Sequence, residues 1–190
     1  GLVGWGEGCT GSSGHLIDTE LSQLLIGENP TKRLMLWQKM FHALYNANLA
    51  VGIGGSAISA IDTALWDLTG KILGVPISDL LGGSIRDKVA VYATGLYYTK
   101  EEFPYRLLAE ARNYANAGFL GMKTKVGGLP MTEDIARVKA IREEIGPDLK
   151  LMIDANQAYN SSSAIRIANQ LAEQDILWFE EPVNAQDIES

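Results

Sequence analysis

Apolar residues recur along this chain in two rhythms, and the change comes near residue 85. Upstream the rhythm is helical. Within 31–45, Leu34, Trp37, Phe41 and Leu44 fall on one face of a helix, and Thr31 after Pro30 offers a start signal. Residues 15–25 read as another helix. Gly52-Ile53-Gly54-Gly55 reads as a loop, with Ser56 the expected N-cap of the clearest helix in the chain. There Ile58, Ile61, Leu65, Leu68 and Ile72 step by threes and fours until Gly74 and Pro76 end the pattern. Residues 77–81 form a short helical turn closed by Gly82-Gly83, and residues 1–9 read as a glycine-rich strand.

Downstream, short apolar runs alternate with helical patterns. Strands are expected over 88–94, 119–126, 149–154 and 176–180. Helices are expected over 101–117, over 132–145 with Thr132 as a candidate cap, and over 162–173. From Thr94 to Lys125 is 31 residues, from Lys125 to Asp154 is 29, and from Asp154 to Glu180 is 26. A repeated strand–helix unit implies parallel strands with right-handed crossovers. The fold class is therefore α/β, either a (β/α) barrel or a doubly wound sheet. No glycine-rich dinucleotide fingerprint or phosphate loop follows the first strand, which favours the barrel. A closed barrel takes eight strands, so the four here amount to its first half. The chain is expected to be part of a longer protein, and half a barrel exposes an apolar strand edge.

Composition narrows the setting. The 190 residues suit one large domain or two small ones, and 46% hydrophobic with 21% charged is ordinary for a globular core. A net charge of -7 without a basic run argues against nucleic-acid or anionic-membrane partners. No apolar run approaches the roughly 18 residues of a membrane span. The first residues lack an initiator Met and do not resemble a signal peptide. The single cysteine, Cys9, excludes an intrachain disulfide, and a cytoplasmic setting is expected.

The polar residues that break the apolar strands carry the candidate chemistry. Lys123 and Lys125 are two apart in one strand and project to one face. Buried lysines need anionic partners; the alternative is a solvated edge pair. Asp154 and Glu180 end the next two strands, where parallel α/β folds place their active sites. Two carboxylates that close need a proton or a cation between them. With oxygen donors alone, that cation would be Mg²⁺ or Mn²⁺; otherwise the two are strand-end caps. Asn156 shares a face with Asp154 if the strand runs that far, and otherwise caps a loop. Glu181 alternates away from Glu180. His15 and His42 lie in the helical region and read as structural or surface residues.

Taken in order, Lys123-Thr124-Lys125, Asp154-Ala155-Asn156-Gln157 and Glu180-Glu181-Pro182 resemble the second-, third- and fourth-strand signatures of the enolase superfamily, nearest its mandelate racemase and muconate-lactonizing branch. The helix from Ala57 to Leu68, with Gly74-Val75-Pro76 and Leu80-Leu81-Gly82-Gly83, is similar to the capping-domain end of that family. The resemblance implies a modified TIM-type (β/α)₇β barrel, present here as its first half over 86–190. Residues 1–85 would be a mostly helical piece of an α+β capping domain. It implies a Mg²⁺-dependent enzyme (Mn²⁺ being an alternative) that removes the proton beside a carboxylate of a small acid. Asp154 and Glu180 would be metal ligands, Lys125 the base and Lys123 the clamp on the substrate carboxylate. Asn156, with Tyr92 and Thr94 at the first strand's end, would contact substrate.

The chemistry required is consistent with that assignment. Removing the proton builds a second negative charge on the carboxylate, which a divalent cation and Lys123 would offset. Lys125 must shed its own proton first, which a neighbouring ammonium and a divalent cation favour; a lysine base with Mg²⁺ is the known pattern of this superfamily. The third carboxylate ligand and the opposing acid/base of the family lie beyond Ser190, so this chain alone is expected to be inactive. The reaction expected of the full protein is dehydration of a sugar acid to a 2-keto-3-deoxy acid. Racemisation, epimerisation or cycloisomerisation on the same scaffold, or a non-catalytic binding role, are the alternatives. The resemblance also implies a homo-oligomer, dimer to octamer, at full length.

Overall fold

The computed structural model describes residues 1–8, 11–99 and 103–188. The chain divides into two compact units, Gly1–Asp87 and Lys88–Ser190.

The first unit is helical. α1 (Gly11–Leu16), a π-helical turn (Ile17–Leu21) and α2 (Ser22–Leu25) follow one another directly. α3 (Arg33–Asn46), α4 (Ile53–Leu73) and α5 (Ile77–Leu80) follow. Leu21, Met40, Leu44, Ala57 and Ile58 form its core. The buried row of α3 is Leu36, Met40 and Leu44, and the expected face is rotated from it. Leu34 is exposed, while Trp37, Phe41 and Tyr45 stack on one another at 5.0 and 5.8 Å between rings. α4 begins before the expected cap: Gly52, at φ +61°, precedes it and Ser56 lies inside. Gly54 is needed within the helix because a Cβ there would collide with the Leu49 carbonyl. α4 ends as expected on left-handed Gly74.

Residues 1–8 form no strand, contrary to expectation. They lie along α4, where the Trp5 N–H donates to Asp67 Oδ2 at 2.8 Å and Lys71 Nζ donates to the Val3 carbonyl at 2.7 Å. With no neighbouring strand among the described residues, α4 satisfies this backbone instead. Cys9, at the end of the expected strand, lies outside the described residues.

The second unit alternates strand and helix: β1 (Ala93–Thr94), α6 (Tyr105–Asn116), β2 (Gly121–Lys125), α7 (Met131–Ile145), β3 (Lys150–Asp154), α8 (Ser161–Gln170) and β4 (Ile176–Glu180). The sheet is parallel in the order β1-β2-β3-β4. Met122, Leu151, Ile153, Val138, Ile141 and Ile167 belong to the core between sheet and helices. β1 is two residues long rather than the expected seven. Its Ala93 pairs with Met122 and β2 starts at Gly121, so residues before Tyr92 have no ladder partner on that side. Pro130, not Thr132, precedes α7, and its carbonyl takes the N–H groups of Glu133 and Asp134. Asn160 caps α8 by accepting from the Ser163 N–H at 2.9 Å. Glu101 and Glu102, the expected start of the helix before β2, lie outside the described residues.

Candidate active site

Strand register assembles the site. Lys125 pairs with Asp154, and Asp154 with Glu180, so one row across β2, β3 and β4 carries a cation and two carboxylates. Thr94 pairs with Lys123 one step earlier. Because side chains alternate, Lys123 and Lys125 emerge on the face opposite the helices, while Thr124 turns toward the core. Thr124 is fully buried and its hydroxyl donates to the Leu96 carbonyl at 2.9 Å.

The two lysines converge on the carboxylates. Lys125 Nζ lies 2.6 Å from Asp154 Oδ2. Lys123 Nζ lies 2.7 Å from Glu180 Oε2 and 3.4 Å from Asp154 Oδ2, and so bridges them. The Lys123 side chain is only 9% exposed and that of Asp154 3%, so water screens the contact between them weakly, while that of Glu180 is 39% exposed. Burial pulls the Lys123 ammonium toward neutrality, but its bonds to Glu180 and Asp154 outweigh this and hold it above an ordinary lysine. For Asp154, burial favours the neutral acid; Lys125 and the Asn156 N–H outweigh it and hold the carboxyl below the usual range. Both groups are charged near neutrality.

The other expected residues fall around this cluster. Tyr92 is half-exposed, with its ring 5.9 Å from Lys123 Nζ and edge-on to Trp178 at 5.3 Å. Trp178 Nε1–H donates to Glu180 Oε2 at 3.2 Å. Thr94 is exposed at the end of β1. Asn156 does not continue the strand face: β3 ends at Asp154 and Asn156 is left-handed, at φ +44°. Its N–H donates to Asp154 Oδ1 at 2.9 Å, and its side chain reaches the Glu181 carboxylate at 3.4 Å. Asn156 therefore braces Asp154 through its backbone. Gln157 also reaches Glu181, at 3.5 Å.

The donor chemistry fits a hard divalent cation. Asp154 and Glu180 offer carboxylate oxygens that already share one cation, Lys123, and no histidine or sulfur stands among the contacts described here. Among the described residues no group of three His, Cys, Asp or Glu could hold a metal ion, and Asp154 and Glu180 are the two that would serve as ligands here.

Sequence reasoning missed the support behind the lysines. Asp134 and Arg137 of α7 are both buried, 3.4 Å apart. Asp134 Oδ2 accepts from the Gly127 N–H at 2.7 Å. Arg137 donates to the carbonyls of Lys125 at 3.0 Å and Leu96 at 2.7 Å, and lies 4.3 Å from the Tyr98 ring. The signal was an opposite-charge pair three residues apart beside the apolar face Ile135, Val138 and Ile141.

The comparisons agree with this architecture. Residues 1–82 match the family description "Mandelate racemase / muconate lactonizing enzyme, N-terminal domain", and residues 106–190 match "Enolase C-terminal domain-like". The chain is 41% identical to the arabinonate dehydratase of Saccharolobus solfataricus, over 96% of this chain and 50% of that protein. The crystal structure of the 3,6-anhydro-D-galactonate cycloisomerase from Zobellia galactanivorans superposes with a TM-score of 0.86 at 41% identity, over 97% of this chain and 51% of that one. That of a racemase from Streptomyces coelicolor with bound magnesium gives 0.80 at 37%, over 93% and 48%. The chain spans about half the length of the curated relatives it matches.

Proposed function

The chain belongs to the mandelate racemase and muconate-lactonizing branch of the enolase superfamily, and from that premise we propose that the full protein is a Mg²⁺-dependent dehydratase of sugar acids. One observation carries the reading: Lys125 and Lys123, from one strand face, meet Asp154 and Glu180 of the next two strands within 2.6 to 3.4 Å. That arrangement suits removal of a proton beside a carboxylate. The 41% identity to an arabinonate dehydratase supports dehydration as the outcome.

In this reading Lys125, once neutral, takes the proton from the carbon next to the substrate carboxylate. The C–H electrons move into the carboxylate, and Lys125 becomes an ammonium facing Asp154 Oδ2, which stabilises it. Lys123 keeps its proton and pairs with the substrate carboxylate as charge builds there. Asp154 and Glu180 would hold Mg²⁺, which would supply Lewis-acid neutralisation of the same carboxylate. Loss of the hydroxyl from the neighbouring carbon as water, carrying the proton that Lys125 accepted, gives an enol that tautomerises to the 2-keto-3-deoxy acid. Tyr92 and Thr94, beside Lys123, line the position of the substrate carboxylate.

A cycloisomerase is the second reading, favoured by the 41% identity to the Zobellia enzyme. A screen of the full-length protein with Mg²⁺ against sugar acids and their lactones separates the two: a 2-keto-3-deoxy product supports dehydration, and ring closure or opening without loss of water supports the alternative. On the acid that reacts, Lys125→Ala should abolish exchange of the α-proton with deuterated water. Normal exchange in that variant would remove Lys125 from the base role.

A further inference from the structure

β1 ends too early to complete the lysine strand. Its ladder with β2 closes with Gly95, whose N–H donates to the Lys123 carbonyl at 3.2 Å. The next carbonyl on that side of β2 is Lys125's, two residues on. A straight β1 would offer it another N–H, but the chain turns away at Leu96, left-handed at φ +56° and fully buried. The turn leaves the part-buried Lys125 carbonyl and the buried Leu96 carbonyl without ladder partners, the latter also accepting from the Thr124 hydroxyl. One guanidinium serves both, with Arg137 Nη1 on Lys125 and Nη2 on Leu96.

The guanidinium is itself fixed. Arg137 is 5% exposed, the Tyr98 ring lies against it, and Asp134 balances its charge. Asp134 also holds the Gly127 N–H, and the Tyr98 hydroxyl accepts from the Gly128 N–H at 2.8 Å. The backbone bonds of this cluster end on Lys125, Gly127 and Gly128, or on Leu96 of the turn that abandons the strand.

We propose that Arg137 is a positioning residue for Lys125: its guanidinium replaces the missing β1 backbone and sets where the lysine strand ends. The inference rests on the reading of Lys125 as the base. Arg137 touches no reacting atom. It acts through the Lys125 carbonyl, and so on the direction from which Nζ approaches Asp154 and the substrate carbon.

The test uses the full-length protein and the amine reagent acetic anhydride, with acylation rates of individual lysines read by mass spectrometry. Arg137→Lys keeps the charge but cannot hold both carbonyls. Asp134→Asn with Arg137→Met removes both charges together, so that neither is left buried alone. Acylation of Lys125 should rise by roughly threefold or more, through local opening, relative to the exposed Lys139 and Lys150. The melting temperature should fall little in Arg137→Lys, which reports that the fold is intact. An unchanged Lys125 rate, or equal rises at all three lysines, overturns the proposal. The measurement needs no turnover, so a failed base assignment shows separately, as α-proton exchange surviving in Lys125→Ala.

Discussion

Gly127 shows how closely the end of the lysine strand is specified. It sits at φ +90°, and a Cβ there would lie 2.5 Å from that of Ala158. Gly127→Ala should therefore cost about 1–3 kcal/mol through backbone strain and overpacking, read as a lowered urea midpoint. A midpoint equal to wild type would show that the turn relaxes freely. Two tyrosines, Tyr98 beside this turn and Tyr114 on α6, give an alkaline signature. Burial, with the Asp134 charge nearby, pushes the Tyr98 hydroxyl up to about 12, against the Gly128 N–H, which lowers it. The bond from Tyr114 to Glu110 Oε1, at 2.7 Å, pushes Tyr114 up to about 12 as well. An unfolded tyrosine titrates at about 10. The unfolded chain thus releases these protons first, and the stability they contribute is complete below about pH 10 and declines as pH rises toward 12. Urea unfolding at a series of pH values should show this decline, and Tyr98→Phe with Tyr114→Phe should flatten it.

At the scale of the element, α7 does more than cover the sheet. Asp134→Ala would leave Arg137 buried without its counter-charge and should cost about 3–5 kcal/mol by thermal or urea unfolding. A loss below about 1 kcal/mol would mean that water reaches the guanidinium. The sequence made β2, β3 and β4 legible, together with the face shared by Lys123 and Lys125, because a period of two and the strand ends fix both. β1 was overread, since Val89 and Val91 alternate like strand residues yet are exposed and unpaired with β2. Asn156 stayed open between strand face and loop because a left-handed residue directly after a strand leaves no trace in an apolar pattern. The Asp134–Arg137 pair was hidden for a different reason. Charged residues on a helix read as solvated, and only the neighbouring carbonyls that need donors show otherwise.

At the scale of the whole molecule, residues 81–92 are exposed, and 84–92 contain no helix or strand. Trypsin should cut the isolated 190-residue chain first at Arg86 or Lys88, yielding two fragments that match the two compact units. Early cleavage inside α4 or α7 instead would show that the units are not separately stable. β4 leaves Leu177 51% and Trp178 37% exposed, and its outer edge pairs with no strand among the described residues. The isolated chain should therefore self-associate with rising concentration in sedimentation experiments, and a monomer at all concentrations would contradict that. The row Lys125–Asp154–Glu180 has a consequence of another kind. Its members are 29 and 26 residues apart in sequence and adjoin only when two strand pairings are in step. A slip of one residue in β3 would send Asp154 toward the helices and leave Glu180 facing Ile153 or Ala155. Under the proposed role of Asp154 and Glu180 as metal ligands, divalent-cation affinity would be a proofreading signal for the sheet, and a chain folded one place out of step would announce itself by failing to bind the ion.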